Sequence, residues 1–411
     1  MRSDLASASA KSKPKLAVVS PFIDKQHGTE RRVAEWISGL ADDFEIHVYS
    51  QQVEDVDLSK IVWHRVPKVF GPHLLNYSWW FLANRVRRGW DRRFHGVRPD
   101  LVFSPGINCL DADVVSVHVI FTEYLKRRPR ITSPLPVSSW LRIIHHGLYY
   151  RLIAFLESRV YRDPESVLFL ISQKTALELE QHFGRLGPFP VIYLGLDLDT
   201  FNPLRRDSLR RGARAELGYS DNRFVVLLIG NDWKNKGLLT LVDAVALLPE
   251  LPIDVLAVGR ENAAEYQIYI RSKSTGPRVA FKPPRKDVDY YYAAADAYVG
   301  ASIEDTFAQP PAEAMACGLP VIVSSTNGTS EIITNGLDGL ILKSPTDVRS
   351  LSGMLRELYE NVQFRERLGS NAAETARQYT WERNARELRL ILDQALRRKS
   401  GMATHTVAQE S

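Results

Sequence analysis

Cysteine is almost absent from this sequence, which has only Cys109 and Cys317 among its 411 residues. Two cysteines so far apart supply neither a disulfide framework nor zinc-ligand spacing, so we expect buried thiols in a reducing compartment. Long apolar runs are also missing, since no stretch approaches the roughly eighteen residues of a spanning helix. The first residues lack the apolar segment of a signal peptide. These absences predict a soluble, cytoplasmic protein.

The charge is mildly positive, because 53 Lys and Arg residues face 48 Asp and Glu residues and give a net charge of +5. Cations interleave with aromatic residues between positions 85 and 162. Basic amphipathic segments of this kind can lie on an anionic membrane surface, at the inner face of a membrane. They are equally typical of helices whose apolar side faces a core, and both interpretations stay open. No nucleic-acid-binding motif accompanies the charge.

Short apolar runs alternate with helical patterns twice along the chain, on either side of a polar, arginine-rich stretch at 202–222 that we predict to be a linker. Such alternation is typical of doubly wound parallel sheets, and the length suits two domains. We therefore predict an α/β fold of two Rossmann-like domains facing across a cleft, with ligands bound beyond the carboxyl ends of the strands. The predicted bounds are a disordered tail at 1–14, an N-terminal domain at 15–203, a C-terminal domain at 204–380, a returning helix at 381–398 and a disordered tail at 399–411.

The strongest local signal is ASIEDTFAQPPAEAMACGLPVIV at 301–323. Asp305 and Glu313 stand eight residues apart, and Pro310 and Pro311 suit the first turn of a helix. A helix N-terminus facing a loop carboxylate suits a phosphosugar, because amides bind anionic oxygens and carboxylates bind hydroxyls. A helix N-cap at Asp305 is the structural alternative.

This segment resembles the donor-binding signature of glycosyltransferase family 4, the retaining sugar-nucleotide transferases of GT-B fold. In the family pattern a Glu and a second Glu eight positions on precede Ala-Met-Ala-x-Gly-x-Pro-Val, and here Glu313 precedes AMACGLPVI. Asp305 replaces the first Glu, with Glu304 beside it. The resemblance implies that Glu313 binds the ribose of the donor. It also implies that Asp305 holds a hydroxyl of the donor sugar, supported by amides near Phe307 and Ala308.

Two further loops fit the same resemblance. Gly28 follows the first strand, with His27 in place of the family's first glycine, and Lys236 follows the first strand of the second half. The resemblance implies that both loops stabilise the departing diphosphate. Asn231 occupies the position of a family arginine, so Lys234 becomes a candidate for the second cation. An ordinary strand-to-helix turn and a solvated surface loop are the structural alternatives.

Two more residues match the family in chain order. His118 ends an apolar strand where a family histidine contacts the sugar or the reaction centre, although a satisfied core histidine is the alternative. Glu331 follows an imperfect match to a family turn and would help to order the donor site. The Asp-x-Asp strings at 111–113, 197–199 and 287–289 are of a kind that arises by chance, so we predict no metal site.

The resemblance therefore implies a metal-independent retaining glycosyltransferase without a cofactor. It would move a hexosyl-type sugar from a nucleoside diphosphate to a hydroxyl of a glycan or lipid-linked acceptor, as in cell-envelope polysaccharide or glycolipid synthesis. His118, Lys236 and Asp305 would serve the reaction itself. A sugar-nucleotide epimerase or hydrolase of the same fold, and a non-catalytic nucleotide-sugar-binding protein, are the alternatives. A nicotinamide-dependent oxidoreductase is disfavoured because the first loop lacks Gly-x-Gly-x-x-Gly.

Overall fold

The computed structural model describes residues 13–24, 28–69, 71–123, 140–273 and 277–401, without the side chains of His73 and of residues 140–146. His27 and most of both predicted tails lie outside these ranges. The chain divides into two compact units. Unit 1 comprises Met1–Leu170, Ala176–Pro190 and Ala385–Ser411, and unit 2 comprises Ile171–Thr175 and Val191–Asn384.

Unit 1 is built on a six-stranded parallel sheet of order β5-β3-β1-β6-β7-β8, beside which two short strands, β2 and β4, pair with each other. Its strands are β1 (Lys15–Val19), β2 (Phe22–Ile23), β3 (Glu45–Ser50), β4 (Gln52–Val53), β5 (Ile61–Arg65), β6 (Leu101–Pro105), β7 (Val114–Val117) and β8 (Val167–Leu170). The helices of this part of the chain are α1 (Gly28–Leu40), α2 (His73–Phe94), α3 (Trp140–Tyr161) and α4 (Lys174–Phe183).

Unit 2 repeats the same topology in a second six-stranded parallel sheet, of order β11-β10-β9-β12-β13-β14. Its strands are β9 (Phe224–Ile229), β10 (Ile253–Val258), β11 (Arg278–Lys282), β12 (Ala297–Gly300), β13 (Val321–Ser324) and β14 (Leu340–Leu342). The helices that follow α4 are α5 (Pro203–Leu217), α6 (Leu238–Ala246), α7 (Ala264–Arg271), α8 (Asp289–Ala294), α9 (Gln309–Ala316), α10 (Val348–Glu360), α11 (Val362–Ala376) and α12 (Trp381–Lys399).

The central strands are mostly apolar, because a parallel sheet is covered on both faces. All six residues of β10 and the first five of β9 are buried. In each unit the strand order reverses its direction beside the first strand, which is where ligands bind in open α/β sheets. The predicted α/β class with two Rossmann-like parallel sheets is confirmed.

The prediction of a linker at 202–222 is wrong, because most of this arginine-rich stretch forms helix α5. The Asn202 side chain caps the helix by accepting the amide of Arg205 at 2.8 Å, and Gly218 ends it in the left-handed region at φ 77°. The side chain of Arg214 is 3% exposed and pairs with Asp296 at 3.1 Å. The arginines therefore dock a helix onto unit 2, so their density reflected packing and not solvation.

Side chains hold the segment at 191–193 in place. The carbonyl of Tyr193 accepts a hydrogen bond from the side-chain amide of Asn384. Gly195 lies against Trp381, so closely that a Cβ built on it would be 2.5 Å from the indole ring. The last part of the chain forms three separate helices, α10, α11 and α12.

A buried carboxylate organises one side of unit 1. Asp91, at the end of α2, is fully buried and accepts hydrogen bonds from Arg87 at 2.9 Å, His64 at 2.7 Å and His95 at 2.9 Å. Burial pushes the pKa of Asp91 upward, but hydrogen bonds from Arg87 and His95 and the charge of His64 outweigh it, so the pKa is lowered. His64 also bonds His47 at 2.9 Å. Polar groups thus tie α2 to the sheet.

The opposite face of α2 is apolar and open to solvent. Four of its large side chains, spaced by seven, four and four residues, are between 53% and 60% exposed, and they are Leu75, Leu82, Val86 and Trp90. Phe94 follows them, with its ring centroid 4.2 Å from that of Trp90. Among the described residues no helix is long and apolar enough to cross a membrane. Cys109 and Cys317 are buried free thiols, as expected, and burial raises the pKa of Cys109 to about 12.

Candidate functional site

The loop between β9 and α6 is pressed against the end of β12. Gly237 precedes α6 with φ 83°, and a Cβ built on it would lie 2.1 Å from the carbonyl oxygen of Ala301. Only glycine allows both the backbone conformation and this approach. The stem of Lys236 crosses the neighbouring Gly230, where an added Cβ would be 2.7 Å from Lys236 Cγ. The loop thereby delivers Lys236 to the segment that follows β12.

An ion pair joins the two residues that sequence analysis placed at the centre of the site. The Lys236 ammonium bonds Asp305 Oδ2, with side-chain exposures of 22% and 16%. Asp305 does not cap a helix, so that structural alternative is wrong: α9 starts four residues later, and its N-cap residue is Ala308. A half-buried lysine and carboxylate from different loops are thus brought into direct contact.

A second ion pair lies beside the first and was not predicted. The Lys174 ammonium bonds the carboxylate of Glu304, with exposures of 20% and 24%, and also the carbonyl of Thr326 at 3.0 Å. The same carbonyl accepts the amide of Asp305 at 3.2 Å. Asn235 brackets Glu304, donating to its carbonyl at 2.8 Å and accepting its amide at 3.2 Å. Two ammonium groups and two carboxylates therefore form one cluster.

The N-terminus of α9 lies next to this cluster in sequence. Phe307 is 8% exposed and packs on the ring of Tyr193 at 5.8 Å. The carbonyl of Ala308 accepts the hydroxyl of Thr329 at 2.6 Å. Within the described part of the chain, the amides of Phe307 and Ala308 have no hydrogen-bond acceptor. Pro310 and Pro311 have no N–H at all, so the donors at this helix end are those of the loop and of the first helical residue.

Glu313 lies one turn into α9 and is 5% exposed. Its Oε2 accepts the hydroxyl of Tyr292 at 2.7 Å. Burial, and secondly the Glu313 charge, raises the pKa of Tyr292, so this hydroxyl stays protonated and donates. The carboxylate is therefore held in one orientation, as a group that must receive hydroxyl hydrogens needs to be.

Glu331 holds a neighbouring segment in place. Its carboxylate accepts the Ser172 hydroxyl at 2.7 Å and the amides of Gln173 at 2.7 Å and Lys174 at 3.0 Å. These three residues belong to Ile171–Thr175, which is grouped with unit 2. Glu331 thus positions the backbone from which Lys174 reaches Glu304. Its place in the turn depends on Gly328, where a Cβ would be 1.7 Å from the carbonyl oxygen of Thr306.

Two predicted residues of the β9–α6 loop lie apart from the cluster. The side-chain oxygen of Asn231 accepts the amide of Arg260 at 3.1 Å, which ties the loop to the end of β10. Lys234 is exposed, and no ion pair joins its ammonium to another described residue. The second cation of the cluster is Lys174. Its chain position gave no signal, because 62 residues separate it from Lys236 and only folding unites them.

The predicted residues of unit 1 lie at the carboxyl edge of its sheet. Gly28 begins α1, and a Cβ built on it would meet no heavy atom within 4 Å. His118 follows β7 and accepts at Nδ1 a long contact of 3.5 Å from Arg32, while its Nε2 lies 2.7 Å from the Ser116 hydroxyl. Burial, and secondly the charge of Arg32, lowers the pKa of His118 well below its usual value. His118 is therefore neutral at neutral pH.

The Asp-x-Asp strings engage other protein groups. Arg88 binds Asp111 at 2.7 Å, and Lys399 binds Asp113 at 2.8 Å. Asp287 pairs with Arg285 at 2.7 Å. In the described ranges, no three His, Cys, Asp or Glu side chains converge as a metal site would require.

Comparison with known proteins supports the resemblance. Residues 210–375, about two fifths of the chain, match the family described as glycosyl transferases group 1. The resemblance inferred from residues 301–323 is thereby confirmed, since that segment lies inside the matched range.

Curated proteins similar to this chain include a D-inositol 3-phosphate glycosyltransferase of Paenarthrobacter aurescens. The two are 30% identical over 220 residues, which are 51% of this chain and 52% of that protein. Spore coat protein SA of Bacillus subtilis is 25% identical over 63% of this chain and 74% of that protein. The chain spans about half the length of the inositol phosphate enzymes that it matches.

Solved glycosyltransferase structures share the fold of this chain. WaaG, a glycosyltransferase involved in lipopolysaccharide biosynthesis, aligns with a TM-score of 0.73 over 94% of this chain and 100% of that one, at 18% identity. Anabaena HepE, solved with UDP-glucose, aligns with a TM-score of 0.68 over 92% of this chain and 99% of that one, at 20% identity. At these identities the likeness concerns the fold alone.

Proposed function

We propose that this protein is a retaining glycosyltransferase that moves a hexosyl-type sugar from a nucleoside diphosphate to a hydroxyl acceptor. The observation that carries the proposal is the Lys236–Asp305 pair beside the N-terminus of α9, with the oriented carboxylate of Glu313 one turn further on. A cation and open amides suit a diphosphate, and two carboxylates suit sugar and ribose hydroxyls. The matched family and the names of the relatives support the same reaction class.

In this proposal the donor substrate replaces the ion pair by contacts to both of its residues. The Lys236 ammonium donates a hydrogen bond to a diphosphate oxygen, and the Asp305 carboxylate, once released, accepts a hydrogen bond from a hydroxyl of the donor sugar. Glu313 accepts the ribose hydroxyls while Tyr292 holds its other side. As the glycosidic bond breaks, negative charge grows on the leaving diphosphate, and Lys236 with the loop amides stabilises it. No enzyme carboxylate forms a covalent intermediate, and no metal is needed because the ammonium groups supply the positive charge.

The test begins with donor binding. Thermal melts with UDP, GDP, ADP and CDP, each in EDTA and in magnesium, identify the nucleobase of the donor. A ligand at a hundred times its dissociation constant adds about 2.7 kcal/mol to the free energy of unfolding. The matching sugar nucleotide is then incubated with acceptors. Inositol 3-phosphate comes first because the relatives named above act on it by name. Anomeric retention is read by NMR of the product.

Lys236→Ala should lower transfer about 100- to 1,000-fold. Lys273→Ala is the matched control, because Lys273 pairs with Asp243 at 2.7 Å with similar exposure. Equal turnover in both variants would refute the assignment. Sugar release or epimerisation without transfer would favour a hydrolase or epimerase, and donor binding without any conversion would favour a non-catalytic binding protein.

We also propose that the exposed face of α2 rests on an anionic membrane surface. Its apolar side chains are accompanied by exposed arginines at the same end of the helix, Arg85, Arg92 and Arg93. Apolar groups that enter the headgroup region and cations that meet anionic lipids are the two components of interfacial binding. A lipid-linked acceptor, as in glycolipid or cell-envelope polysaccharide synthesis, would then be within reach of an enzyme held at the inner face of the membrane.

Sedimentation with vesicles of phosphatidylglycerol or phosphatidylcholine tests this surface. We expect binding to the anionic vesicles only, weakened by salt. Replacing Leu82 and Trp90 by serine should reduce binding about tenfold or more, because each apolar side chain contributes on the order of 1 kcal/mol. Leu247→Ser is the control, since Leu247 is 52% exposed but lies in unit 2. Binding to neither vesicle, or an unchanged double variant, would refute the proposal.

A further inference from the structure

Unit 1 contains a buried arginine that forms no ion pair with a carboxylate of the described residues. Arg32, one turn into α1, is 4% exposed. None of the described acidic residues pairs with it, and its Nε is buried without a hydrogen-bond partner. Its guanidinium contacts His118 Nδ1 at 3.5 Å and lies 5.9 Å from the ring of Trp36. Burial without compensating charge lowers the pKa of Arg32 to about 9.

Such an arrangement is costly for folding. A buried guanidinium needs a counter-charge and partners for five donors, and charges lacking them are rare in proteins. The end of the helix supplies further attraction for an anion. Arg32 lies near the N-terminus of the thirteen-residue helix α1, where amides and the helix dipole favour negative charge. His118 is neutral there and does not compensate the arginine.

We propose that Arg32 is an anion-binding residue that receives a phosphate group of a bound substrate at the carboxyl edge of the unit 1 sheet. The inference rests on the proposed function, which supplies two sources of phosphate: the diphosphate of the donor or a phosphate carried by the acceptor. The guanidinium donates two hydrogen bonds to phosphate oxygens, and the α1 amides add further donors. The contact of 3.5 Å to His118 is long enough to be exchanged for a phosphate oxygen.

The same contacts define the state of His118 before substrate binds. A guanidinium only donates, so Nδ1 accepts, and the remaining Nε2–H donates to the Ser116 hydroxyl at 2.7 Å. Phosphate binding would remove Arg32 from Nδ1 and free that nitrogen to accept a hydroxyl hydrogen. Arg32 would thereby couple phosphate binding to the availability of His118.

The experiment compares wild type with Arg32→Met, which keeps the apolar stem and removes the charge. Calorimetric titrations use UDP (or the diphosphate found in the melts), inositol 3-phosphate and inorganic phosphate. Uridine and inositol are the unphosphorylated controls. We expect at least one phosphorylated ligand to bind ten- to a hundredfold more weakly to Arg32→Met, with the controls unchanged. If only diphosphate binding is weakened, the phosphate that binds Arg32 is that of the donor. If only inositol 3-phosphate binding is weakened, it is that of the acceptor.

A stability measurement separates binding from architecture. Because an uncompensated buried charge opposes folding, Arg32→Met should melt at the same temperature as wild type or higher. A variant that melts lower and binds all three phosphates like wild type would overturn the inference and make Arg32 structural. If Arg32→Met does not fold, the same titrations are made with Arg32→Lys. The NMR signal of the Arg32 Nε–H group is also followed in wild type, and a signal that does not shift under saturating phosphate overturns the inference. If Lys236→Ala weakens binding of the phosphorylated ligands and Arg32→Met does not, the proposed function stands and the inference about Arg32 fails.

Discussion

Asp305→Asn should separate diphosphate affinity from turnover. In the free protein the Asp305 carboxylate occupies the Lys236 ammonium, so it competes with any phosphate for the same cation. Exposed ion pairs contribute about 0.2–1 kcal/mol, and breaking buried ones costs about 3–5 kcal/mol. With exposures of 22% and 16% the pair lies between these classes, so we take about 1–2 kcal/mol. The released lysine should then bind a free nucleoside diphosphate about five- to thirtyfold more tightly.

Turnover should change in the opposite direction. The asparagine cannot accept a sugar hydroxyl as a charged group does, and a hydrogen bond to a charged group contributes about 1.5–3 kcal/mol. We therefore expect transfer to fall about tenfold to a hundredfold while the diphosphate product binds more tightly. Calorimetric titration with the diphosphate and initial rates with its sugar nucleotide measure the two quantities on one preparation.

The matched control is Asp243→Asn, which breaks a lysine–aspartate pair of similar exposure elsewhere in unit 2. It should alter neither quantity. Weaker diphosphate binding by Asp305→Asn would refute the reasoning, because it would mean that Asp305 orients Lys236 toward the ligand and does not compete for it. Unchanged turnover would remove Asp305 from the proposed reaction.

Three further predictions concern other parts of the structure. Glu313→Ala should abolish measurable donor binding in a melt assay and lower the free energy of unfolding by about 1–3 kcal/mol, because the buried Tyr292 hydroxyl loses its acceptor; a stable variant with unchanged donor affinity would contradict both roles. The pKa of Asp91 is lowered in the fold, so its stabilising contribution is present above the unfolded value of about 3.9 and is lost as the pH falls through the folded value; denaturant unfolding from pH 2 to 7 should show this loss in wild type and a flatter profile, with lower neutral stability, in Asp91→Asn. Gly237→Ala should cost more than about 2 kcal/mol, since φ is positive and the added Cβ meets a carbonyl, whereas Gly353→Ala inside α10 meets nothing and should stabilise by about 0.5–1 kcal/mol in the same chemical denaturation.

The loops after β9 and β12 were the more predictable part of the candidate site. Their residues lie in local patterns: a glycine and a lysine after β9, and a loop, two prolines and a small-residue helix after β12. Both loops follow strands that pair directly, β9 with β12, so the topology brings their ends together. Lys236 and Asp305 therefore meet as the chain order suggested. The roles assigned to Phe307, Ala308 and Glu331 stay predictions.

Other expectations failed where burial, which composition does not reveal, decided the outcome. The arginines of 202–222 read as a solvated linker, yet Arg214 is buried against Asp296 and the segment is a capped helix. Lys174 joins the cluster from a distant segment, because Glu331 fixes the backbone that carries it. The donor-binding role of Lys234 stays a prediction.

The sequence by itself determined the fold class and the resemblance to a family, because these follow from periodicity and from contiguous motifs in which neighbouring residues act through one loop or one helix end. The tertiary structure alone decided which charges are paired, which are exposed and which are buried without a partner. Those properties depend on contacts between residues far apart in the chain, as at Lys174 with Glu304 and at Arg32 with His118. The free energy of a charge is set by its surroundings, and only the folded chain defines them.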